Sequence, residues 1–201
     1  MIRIVCASIS SADDRIYRKL YEKASVQRKL RADRYLRRED KLRCVTAAAL
    51  LKKELGVEEE ELIKNDFGKP YIKDRNDVYF NLSHSGQYVV IAWGNTEVGV
   101  DVQQHDPSTD MEGIGRRFFA LDEMQYAHRN TERFYEIWTK KESFLKYTGR
   151  GLHMELNSFS VLVPEPRIRY FYHTLGTEYS LSLCMEDEEC EIALLDVQQL
   201  L

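Results

Sequence analysis

The pattern of apolar and polar residues in the first third of the chain predicts one strand followed by helices. Residues 2–9 alternate weakly, as expected of a β-strand. Residues 12–38 are rich in charge, but their apolar residues recur at intervals that indicate helical segments. A longer helix is predicted from Lys41 to Leu55, and Gly56 directly after it is a suitable C-cap.

Three apolar segments in the middle of the chain predict strands. Residues 78–82, 87–93 and 97–103 are rich in the β-branched and aromatic residues that favour extended backbone. We expect Ser83-His84-Ser85-Gly86 to end the first of these strands. Gly94-Asn95, between the second and the third, predicts that those two strands form a hairpin.

The second half of the chain shows helical patterns first and strand patterns afterwards. The helices are predicted at residues 116–128 and 132–147, and the strands at residues 157–163, 167–173, 179–185 and 190–196. Because each half combines helices with a small antiparallel sheet, the predicted fold class is α+β. We divide the chain into an N-terminal half of residues 1–98 and a C-terminal half of residues 99–201.

Composition restricts the class of protein. No apolar run is long enough to span a bilayer, and the first residues are too short and too polar for a signal peptide. The four cysteines show no CxxC pairing and no histidine at metal-ligand spacing, which disfavours a zinc site. The net charge of −4 provides no bulk attraction to nucleic acid. We therefore expect a cytoplasmic protein that binds neither membranes nor nucleic acid.

Positive charge is concentrated near the N-terminus. The stretch from Arg15 to Lys53 contains 14 Lys and Arg residues against 4 Asp and Glu residues. Such a stretch attracts phosphates or an acidic partner. It also suits a pair of solvated amphipathic helices, and composition alone favours that second interpretation.

One predicted strand places a carboxylate on the surface of a sheet. In VGVDVQ, residues 98–103, the three valines share one face, whereas Gly99, Asp101 and Gln103 share the other. We expect the valines in the core, and Gly99 without a side chain leaves room for a ligand beside Asp101. A solvated aspartate on an ordinary half-buried strand has the same pattern, and the strand by itself favours that interpretation.

A predicted helix in the C-terminal half carries a second carboxylate. Glu142 and Lys146 are neighbours one turn apart on this helix. They form either an ion pair on the helix surface, or a metal-binding carboxylate beside a lysine that contacts phosphate oxygens. The helical pattern leaves both interpretations open.

Two loop-like segments offer groups that bind phosphates or hydroxyls. Ser83 and His84 lie among small polar residues at a predicted strand end. Gly68-Lys69-Pro70 combines a permissive backbone, a point charge and a rigid ring. Each segment alone is a weak signal. The sequence contains no GxSxG motif, no Walker A loop and no GxGxxG motif.

Taken in order, these segments resemble the signature of one enzyme family, the Sfp-type 4′-phosphopantetheinyl transferases. The resemblance extends from about residue 28 to about residue 163. The ordered combination is specific, although each motif is weak. The motifs that carry it are GKP (68–70), FNLSHSG (80–86), VGVDVQ (98–103), RRFFALDE (116–123) and WTKKESFLKYTGRGL (138–152).

The resemblance implies a fold, a reaction and partners. The fold would consist of two similar α/β halves in a pseudo-twofold arrangement, with the coenzyme A site in the cleft between them. The reaction would move the 4′-phosphopantetheine arm of coenzyme A to a serine of an apo acyl or peptidyl carrier protein, with Mg²⁺ as cofactor and 3′,5′-ADP as product. Carriers of fatty-acid, polyketide and nonribosomal-peptide synthesis all remain open. The two-half fold within one chain implies a monomer.

The resemblance also implies roles for individual residues. Asp101, Gln103 and Glu142 match the metal ligands. Lys146 matches the lysine that contacts the phosphates and the transferred group, so Asp101, Glu142 and Lys146 are the expected catalytic residues. His84 matches the contact to the 3′-phosphate, and Lys69 with Pro70 matches the adenine loop. The complete set expected to bind coenzyme A is Arg28, Arg31, Arg43, Lys69, Pro70, Ser83, His84, Lys141 and Lys146.

Gln103 departs from the family pattern, which often has glutamate there. An amide oxygen can ligate magnesium, but it brings no charge and cannot accept the serine proton. Glu142 or a metal-bound water is therefore the candidate base.

Gln103 also supports the main alternative, a degenerate homologue that binds coenzyme A without catalysis. A magnesium-dependent nucleotide hydrolase is a third interpretation, in which water replaces the serine. A nucleic-acid-binding role for the basic N-terminal half is poorly supported, given the negative net charge.

Overall fold

The computed structural model describes residues 1–151, 154–186 and 189–201. The strands in these ranges are β1 (Ile2–Ser8), β2 (Leu62–Lys64), β3 (Pro70–Ile72), β4 (Tyr79–Ser85), β5 (Tyr88–Gly94), β6 (Val98–Gln104), β7 (Arg169–Thr174), β8 (Tyr179–Met185) and β9 (Cys190–Asp196). The α-helices are α1 (Asp14–Lys23), α2 (Val26–Asp33), α3 (Arg38–Leu55), α4 (Met111–Phe118), α5 (Leu121–Ala127) and α6 (Thr131–Thr148). None of the described helices has both the length and the hydropathy needed to cross a membrane.

The strands form two main sheets and one small hairpin. The first sheet has the order β4-β5-β1-β9, the second the order β6-β8-β7, and β2 pairs with β3 alone. Neighbouring strands are antiparallel except β1 and β9, which are parallel. The first sheet is therefore mixed, because the C-terminal strand returns to pair with the N-terminal one. Helices together with small sheets confirm the predicted α+β class.

The two sheets face each other across an apolar core. Ile4 and Val90 of the first sheet and Val100 and Leu183 of the second lie in one buried cluster. All three valines of β6 belong to this cluster, as their alternation predicts. Helix α3 packs on the other face of the first sheet through residues such as Leu50. Helix α6 packs on the other face of the second sheet.

Side chains of β4 also join the two sheets at their edges. Asn81 Oδ1 accepts a hydrogen bond from the backbone N of Val100 at 3.1 Å. Ser83 Oγ accepts one from the backbone N of Val102 at 3.2 Å, and Ser85 repeats the arrangement one step further along the strand. Along this edge of β6, the backbone N–H groups thus donate to side chains of β4 and not to the backbone of a neighbouring strand. We call this line of contacts the β4–β6 seam.

Strand β4 extends further than predicted. Ser83 and His84 belong to the strand, which ends at Ser85, and the turn lies at Gly86 with a φ of +50°. The small polar residues continue the strand because their hydroxyls bond to β6. The hairpin pairs β4 with β5. The prediction that Gly94-Asn95 closes a hairpin is wrong, since β5 and β6 lie in different sheets.

Two further predicted elements differ from the observed ones, and hydrogen bonds of Glu123 explain both differences. The helix predicted at residues 116–128 is two helices, α4 and α5, because Glu123 Oε2 accepts the backbone N–H of Ala120 at 2.7 Å and starts a new helix. The strand predicted at residues 157–163 is not formed. The backbone N of Val161 donates instead to Glu123 Oε1 at 2.7 Å.

Both long helices end at a glycine, which confirms the predicted end at Gly56. Gly56 follows α3 with a φ of +69°, and Gly149 follows α6 with a φ of +63°, both in the left-handed region that favours glycine. The division of the chain into residues 1–98 and 99–201 stays a prediction.

Candidate active site

Helix α6 lies so close to β6 that one residue of the strand has no room for a side chain. A Cβ atom at Gly99 would overlap with the backbone oxygen of Ser143 and the backbone nitrogen of Tyr147. Gly99 therefore admits the helix, and not a ligand as the strand pattern suggested. This close packing brings the polar helix residues Glu142 and Lys146 to the carboxylate carried by β6.

That carboxylate, Asp101, is the centre of a buried polar cluster and is only 2% exposed. Its Oδ1 atom accepts hydrogen bonds from Lys146 Nζ at 2.7 Å and from Ser83 Oγ at 2.9 Å. Its Oδ2 atom accepts one from Gln103 Nε2 at 3.1 Å. Lys146 Nζ also donates to Ser83 Oγ at 2.9 Å and to the carbonyl of Val100 at 3.0 Å. Asp101 is therefore not the solvated surface aspartate that the strand pattern alone favoured.

Glu142 is the second carboxylate of the cluster. Burial raises the pKa of Glu142, the negative charge of Asp101 raises it further, and Lys146 lowers it. Among the described residues Lys146 forms its ion pair with Asp101, so the surface pair between Glu142 and Lys146 is not formed. Glu142 lies near another carboxylate and forms no ion pair with any residue that the structure describes.

The residues predicted as metal ligands are two carboxylates, Asp101 and Glu142, and one amide, Gln103. Among the described residues, no three His, Cys, Asp or Glu side chains lie together in a way that could hold a metal. The predicted site is not such a group, since Gln103 is an amide. Mg²⁺ commonly takes one or two protein carboxylates and completes its shell with water and substrate phosphates. Asp101, Glu142 and a Gln103 amide turned with its oxygen inward therefore fit Mg²⁺. A dication would also offset the cost of a charge on Glu142.

Positive charge gathers around His84 on the other side of the seam. Arg43 Nη1 donates to the carbonyl of Gly86 at 2.6 Å, and its Nη2 donates to Asp40 Oδ1 at 2.5 Å. Desolvation lowers the pKa of His84, and the charges of Arg43 and Lys146 lower it further. The histidine is nonetheless exposed on one side. The cations near this imidazole make the position favourable for an anion.

A cleft of about 240 Å³ opens beside Glu142 and Lys146. Gly68 and Pro70 of the predicted adenine loop form one wall, and Glu142 and Lys146 of α6 form another. Asn81, at the seam, contributes to the lining between them. The cleft therefore connects the predicted nucleotide loop with the predicted catalytic residues.

The ammonium of Lys69 is directed into the protein. Lys69 Nζ lies 2.5 Å from Glu97 Oε2, and donates to the carbonyls of Tyr147 at 2.9 Å and Val98 at 3.2 Å. The side chain is only 4% exposed. Lys69 lines the cleft, but its charge ties the loop to β6 and α6 and does not serve as a free point charge for phosphate.

Two other residues predicted to bind coenzyme A are buried outside the cleft. Lys141 is completely buried, pairs with Glu123 at 2.8 Å, and donates to two backbone carbonyls. Arg28 is 5% exposed and pairs with Glu59. Neither residue lines the cleft. Both residues are ion-paired inside the protein, and a contact of either one to coenzyme A stays a prediction. Arg31 is half exposed, 3.5 Å from Glu59, and stays available to an anion.

Asn81 is the site residue that sequence reasoning missed. It is 5% exposed, bonds to β6 and lines the cleft. A usable signal was present, because Asn81, Ser83 and Ser85 occupy alternate positions of one strand and so share a face. The end of the WTKKESFLKYTGRGL motif, at residue 152, lies outside the described residues.

The C-terminal half matches the model of a known family. Residues 97–195 match the family described as the 4′-phosphopantetheinyl transferase superfamily. The matched stretch contains Asp101, Gln103, Glu142 and Lys146.

Curated proteins from several bacteria are similar to this chain. A 4′-phosphopantetheinyl transferase of Bacillus subtilis is 35% identical, over 89% of this chain and 82% of the relative. The 4′-phosphopantetheinyl transferase Sfp of Bacillus subtilis strain 168 is 40% identical over 48% of this chain and 44% of its own length. The 4′-phosphopantetheinyl transferase gsp of Aneurinibacillus migulanus is 30% identical over 79% and 70% respectively. The chain therefore belongs to the Sfp-type 4′-phosphopantetheinyl transferase family.

Proposed function

We propose that this chain transfers the 4′-phosphopantetheine moiety of coenzyme A to a serine of an apo carrier protein, in a reaction that requires Mg²⁺ and releases 3′,5′-ADP. Membership of the family supports the transfer itself. The observation that carries the proposal for this chain is the meeting of Asp101, Glu142 and Lys146 beside one cleft. The class of carrier stays open.

The reaction exchanges the pyrophosphate linkage of coenzyme A for a phosphate ester to the serine. The serine oxygen attacks the phosphorus that bears pantetheine. The bond between that phosphorus and the bridging oxygen breaks, and 3′,5′-ADP leaves with the electron pair. Catalysis of this kind depends mainly on positioning and on the stabilisation of charge.

Asp101, Gln103 and Glu142 are the residues that would hold Mg²⁺. When bound, the ion supplies positive charge for the pyrophosphate oxygens as the leaving group departs. The chain itself contributes Lys146, whose ammonium lies 2.7 Å from Asp101 and whose side chain is 28% exposed at the cleft. Its flexible stem allows the ammonium to follow the phosphate that is transferred.

Glu142 is the proposed proton acceptor. A carboxylate whose pKa is raised by burial and by a neighbouring charge is a better base than an ordinary one. Gln103 has no basic group, so its proposed role is limited to holding Mg²⁺. The serine proton is therefore assigned to Glu142 as the oxygen attacks.

The nucleotide end of coenzyme A is assigned to two groups of residues. Arg43, with Arg31 further out, supplies positive charge for the 3′-phosphate, and the exposed His84 imidazole offers it a hydrogen-bonding partner. Pro70 borders the place of the adenine. Ser83 connects the two sides, because its hydroxyl bonds to the Asp101 carboxylate from β4.

The proposal extends to the state of the protein. One chain supplies both walls of the cleft, which is consistent with a monomer that has coenzyme A and an apo carrier as its partners and binds neither nucleic acid nor membranes. All four cysteines are free thiols. Free thiols suit the reducing cytoplasm.

Intact-mass spectrometry tests the reaction directly. Apo carriers of the fatty-acid, polyketide and peptidyl classes are incubated with the protein, coenzyme A and Mg²⁺. We expect one carrier mass to rise by one phosphopantetheine, with 3′,5′-ADP formed in equal amount. EDTA and replacement of the carrier serine should each abolish the change. Binding of coenzyme A without any mass change would support the non-catalytic alternative, and cleavage of coenzyme A without a carrier would support the hydrolase.

Substitutions of the two carboxylates test the assignment of the site. Asp101→Asn and Glu142→Gln should each abolish transfer while circular dichroism shows an intact fold. Glu132→Gln, at an exposed position of α6, is the matched control and should retain activity. Turnover near that of the wild type in either carboxylate variant would disprove the metal-site assignment.

A further inference from the structure

The hydroxyl of Tyr179 holds the turn between β4 and β5. Tyr179 is the first residue of β8 and is only 3% exposed. Its Oη atom accepts a hydrogen bond from the backbone N of Gln87 at 3.1 Å. Its ring packs edge-on against the ring of Tyr88, with the two centroids 4.9 Å apart. Because β8 lies in the second sheet, a residue of that sheet fixes a turn of the first sheet.

The turn also fits closely against the second sheet at Gly86. A Cβ atom at this position would overlap with Tyr179 Oη and with the side-chain amide of Gln104. The residue before the turn, Ser85, accepts a hydrogen bond from the backbone N of Gln104 at 3.0 Å. Close packing and hydrogen bonds to β6 and β8 therefore hold the turn in one position.

The backbone carbonyl of this turn orients an arginine. Arg43 Nη1 donates to the carbonyl of Gly86 at 2.6 Å, and Arg43 Nη2 donates to Asp40 Oδ1 at 2.5 Å. A guanidinium is planar and has five N–H donors, so two bonds fix its plane and leave donors for a ligand. The side chain of Arg43 is 15% exposed. The position of the Gly86 carbonyl therefore determines where the remaining donors point.

A cavity of about 720 Å³ lies beside Arg43 and is suited to an anion. Three arginines and one acidic residue line it, namely Arg37, Arg38, Arg43 and Glu39. Arginine donors match phosphate oxygens in both geometry and charge. Tyr179 and Gly86 also line this cavity, so the contacts from the tyrosine to the arginine lie along its wall.

We infer that Tyr179 positions Arg43, through the turn, to bind the 3′-phosphate of coenzyme A. The inference rests on the proposed function, which assigns Arg43 to that phosphate. The Tyr179 hydroxyl fixes the turn, and the Gly86 carbonyl orients the guanidinium that binds the phosphate oxygens. Without the hydroxyl, the backbone N–H of Gln87 loses its acceptor and the turn shifts. Hydrogen bonds weaken steeply when their geometry is lost, so Arg43 then binds the phosphate less well.

Tyr179→Phe tests the inference, because it removes the hydroxyl and keeps the ring that packs against Tyr88. Isothermal titration calorimetry measures the affinity of the full chain for 3′,5′-ADP and for 5′-AMP, which has no 3′-phosphate. The variant should bind 3′,5′-ADP about fivefold more weakly, and 5′-AMP as the wild type does. Unchanged affinity for 3′,5′-ADP, or an equal loss for both nucleotides, would overturn the inference.

A double-mutant cycle separates positioning from a direct contact, because Tyr179 itself lines the cavity. Arg43→Gln alone should weaken the binding of 3′,5′-ADP about tenfold. In that background Tyr179→Phe should cause no further loss, since the hydroxyl acts only through the guanidinium. Losses that simply multiply would show that the two residues act independently, which contradicts the inference.

Tyr172→Phe is the matched control. The hydroxyl of Tyr172 bonds to Ser180 Oγ at 3.0 Å in the same sheet, and Tyr172 is not among the described residues that line the cavity. This variant also loses one tyrosine hydroxyl, but it should leave the affinity for both nucleotides unchanged. A loss for 3′,5′-ADP as large as that in Tyr179→Phe would attribute the effect to the sheet and overturn the inference.

Hydrogen exchange reports on the turn directly and needs no ligand. The amide of Gln87 should exchange faster in Tyr179→Phe than in the wild type or in Tyr172→Phe. Neither this measurement nor the nucleotide titration involves a carrier, so both are independent of the transfer reaction. The expected ranking supports the inference even where transfer is absent. Equal binding of the two nucleotides by the wild type overturns it even where transfer is active.

Discussion

The carboxylate at the centre of the site is held by partners on other elements. Asp101 of β6 is bonded by Lys146 of α6 and by Ser83 of β4. The charges are therefore in position before a substrate arrives, which is the condition for strong electrostatic stabilisation in a reaction. In the free chain Lys146 neutralises Asp101, and Gln103 adds no charge. The affinity of this site for Mg²⁺ should consequently depend on the phosphates that coenzyme A brings.

The first prediction concerns the charge of the metal site. Gln103→Glu should tighten Mg²⁺ binding in the absence of coenzyme A, because it adds a third carboxylate, while transfer activity is retained. Isothermal titration with Mg²⁺ measures the first effect and the carrier assay the second. Gln104→Glu adds the same charge at the next position of the strand and should change neither. Loss of transfer in Gln103→Glu would indicate that the amide bond to Asp101, 3.1 Å long, is required.

The second prediction concerns the protonation of His84. Its pKa in the folded chain lies below the ordinary 6.5, so the folded state binds fewer protons than the unfolded state between these two values. The contribution of His84 to stability is thus fully present above pH 6.5 and is lost as the pH falls through the folded pKa. A bound 3′-phosphate should raise this pKa, because it offsets the charges of Arg43 and Lys146.

Histidine NMR titration measures this change, with His84→Gln to assign the resonance. Addition of 3′,5′-ADP should raise the pKa of His84 more than addition of 5′-AMP, which lacks the 3′-phosphate. An equal shift with both nucleotides would place the 3′-phosphate elsewhere.

At the scale of elements, helix α6 directs its charged side chains to different parts of the protein. Glu142 and Lys146 are one turn apart and face β6, whereas Lys141 points to the other side and pairs with Glu123 of α5. Residues adjacent in the chain point in different directions on a helix. The KES sequence therefore contains, side by side, one charge that is paired inside the protein and one that faces β6. The distance between α6 and β6, set at Gly99, decides whether Glu142 and Lys146 reach the strand.

The third prediction tests that distance. Gly99→Ala should lower the free energy of unfolding by about 1–3 kcal/mol, because the added Cβ meets backbone atoms of α6 that cannot move independently. Transfer should fall as well, since the helix must shift away from Asp101. Urea denaturation and the carrier assay measure the two effects. Gly115→Ala is the control, because its Cβ would meet the flexible side chain of Met124. Equal stability of the two variants would contradict the role given to Gly99.

At the scale of the whole molecule, the cleft depends on contacts between distant parts of the chain. Strand β9 returns to pair with β1, which joins the two ends of the described chain in one sheet. The loop before β3 is tied to the end of α6 by Lys69 and by Asn65 Nδ2, which donates to the carbonyl of Gly149 at 2.9 Å. These bonds hold the two walls of the cleft at a defined separation.

The fourth prediction tests the tie made by Lys69. Lys69→Met keeps most of the apolar stem but leaves Glu97 and the carbonyls of Val98 and Tyr147 without their donor. Unsatisfied buried acceptors should cost about 1–3 kcal/mol in urea denaturation. Hydrogen exchange should become faster at the C-terminal turn of α6. Lys73→Met, at an exposed position in the same region of the chain, should have neither effect.

If Lys69 instead contacted phosphate directly, Lys69→Met would weaken coenzyme A binding while stability and hydrogen exchange stayed unchanged. That outcome would restore the role that the family resemblance implies.

The sequence by itself determined most of the helices and strands. The valine alternation of β6 and the glycines after α3 and α6 predict a strand and two helix ends that the structure confirms. These features depend on backbone preference and on which face is apolar, and both are properties of short segments. The ordered motifs likewise identified the family, because they mark residue types at fixed positions along the chain.

Only the tertiary structure decided what each charged residue contacts. Lys141 and Lys146 have the same side chain and lie on one helix, yet one pairs with Glu123 inside the protein and the other with Asp101 at the cleft. The same applies to Gly99, whose missing side chain accommodates a helix from elsewhere in the chain. The free energy of a charge depends on its burial and on partners that folding brings together from distant positions. That information exists only once the chain has folded.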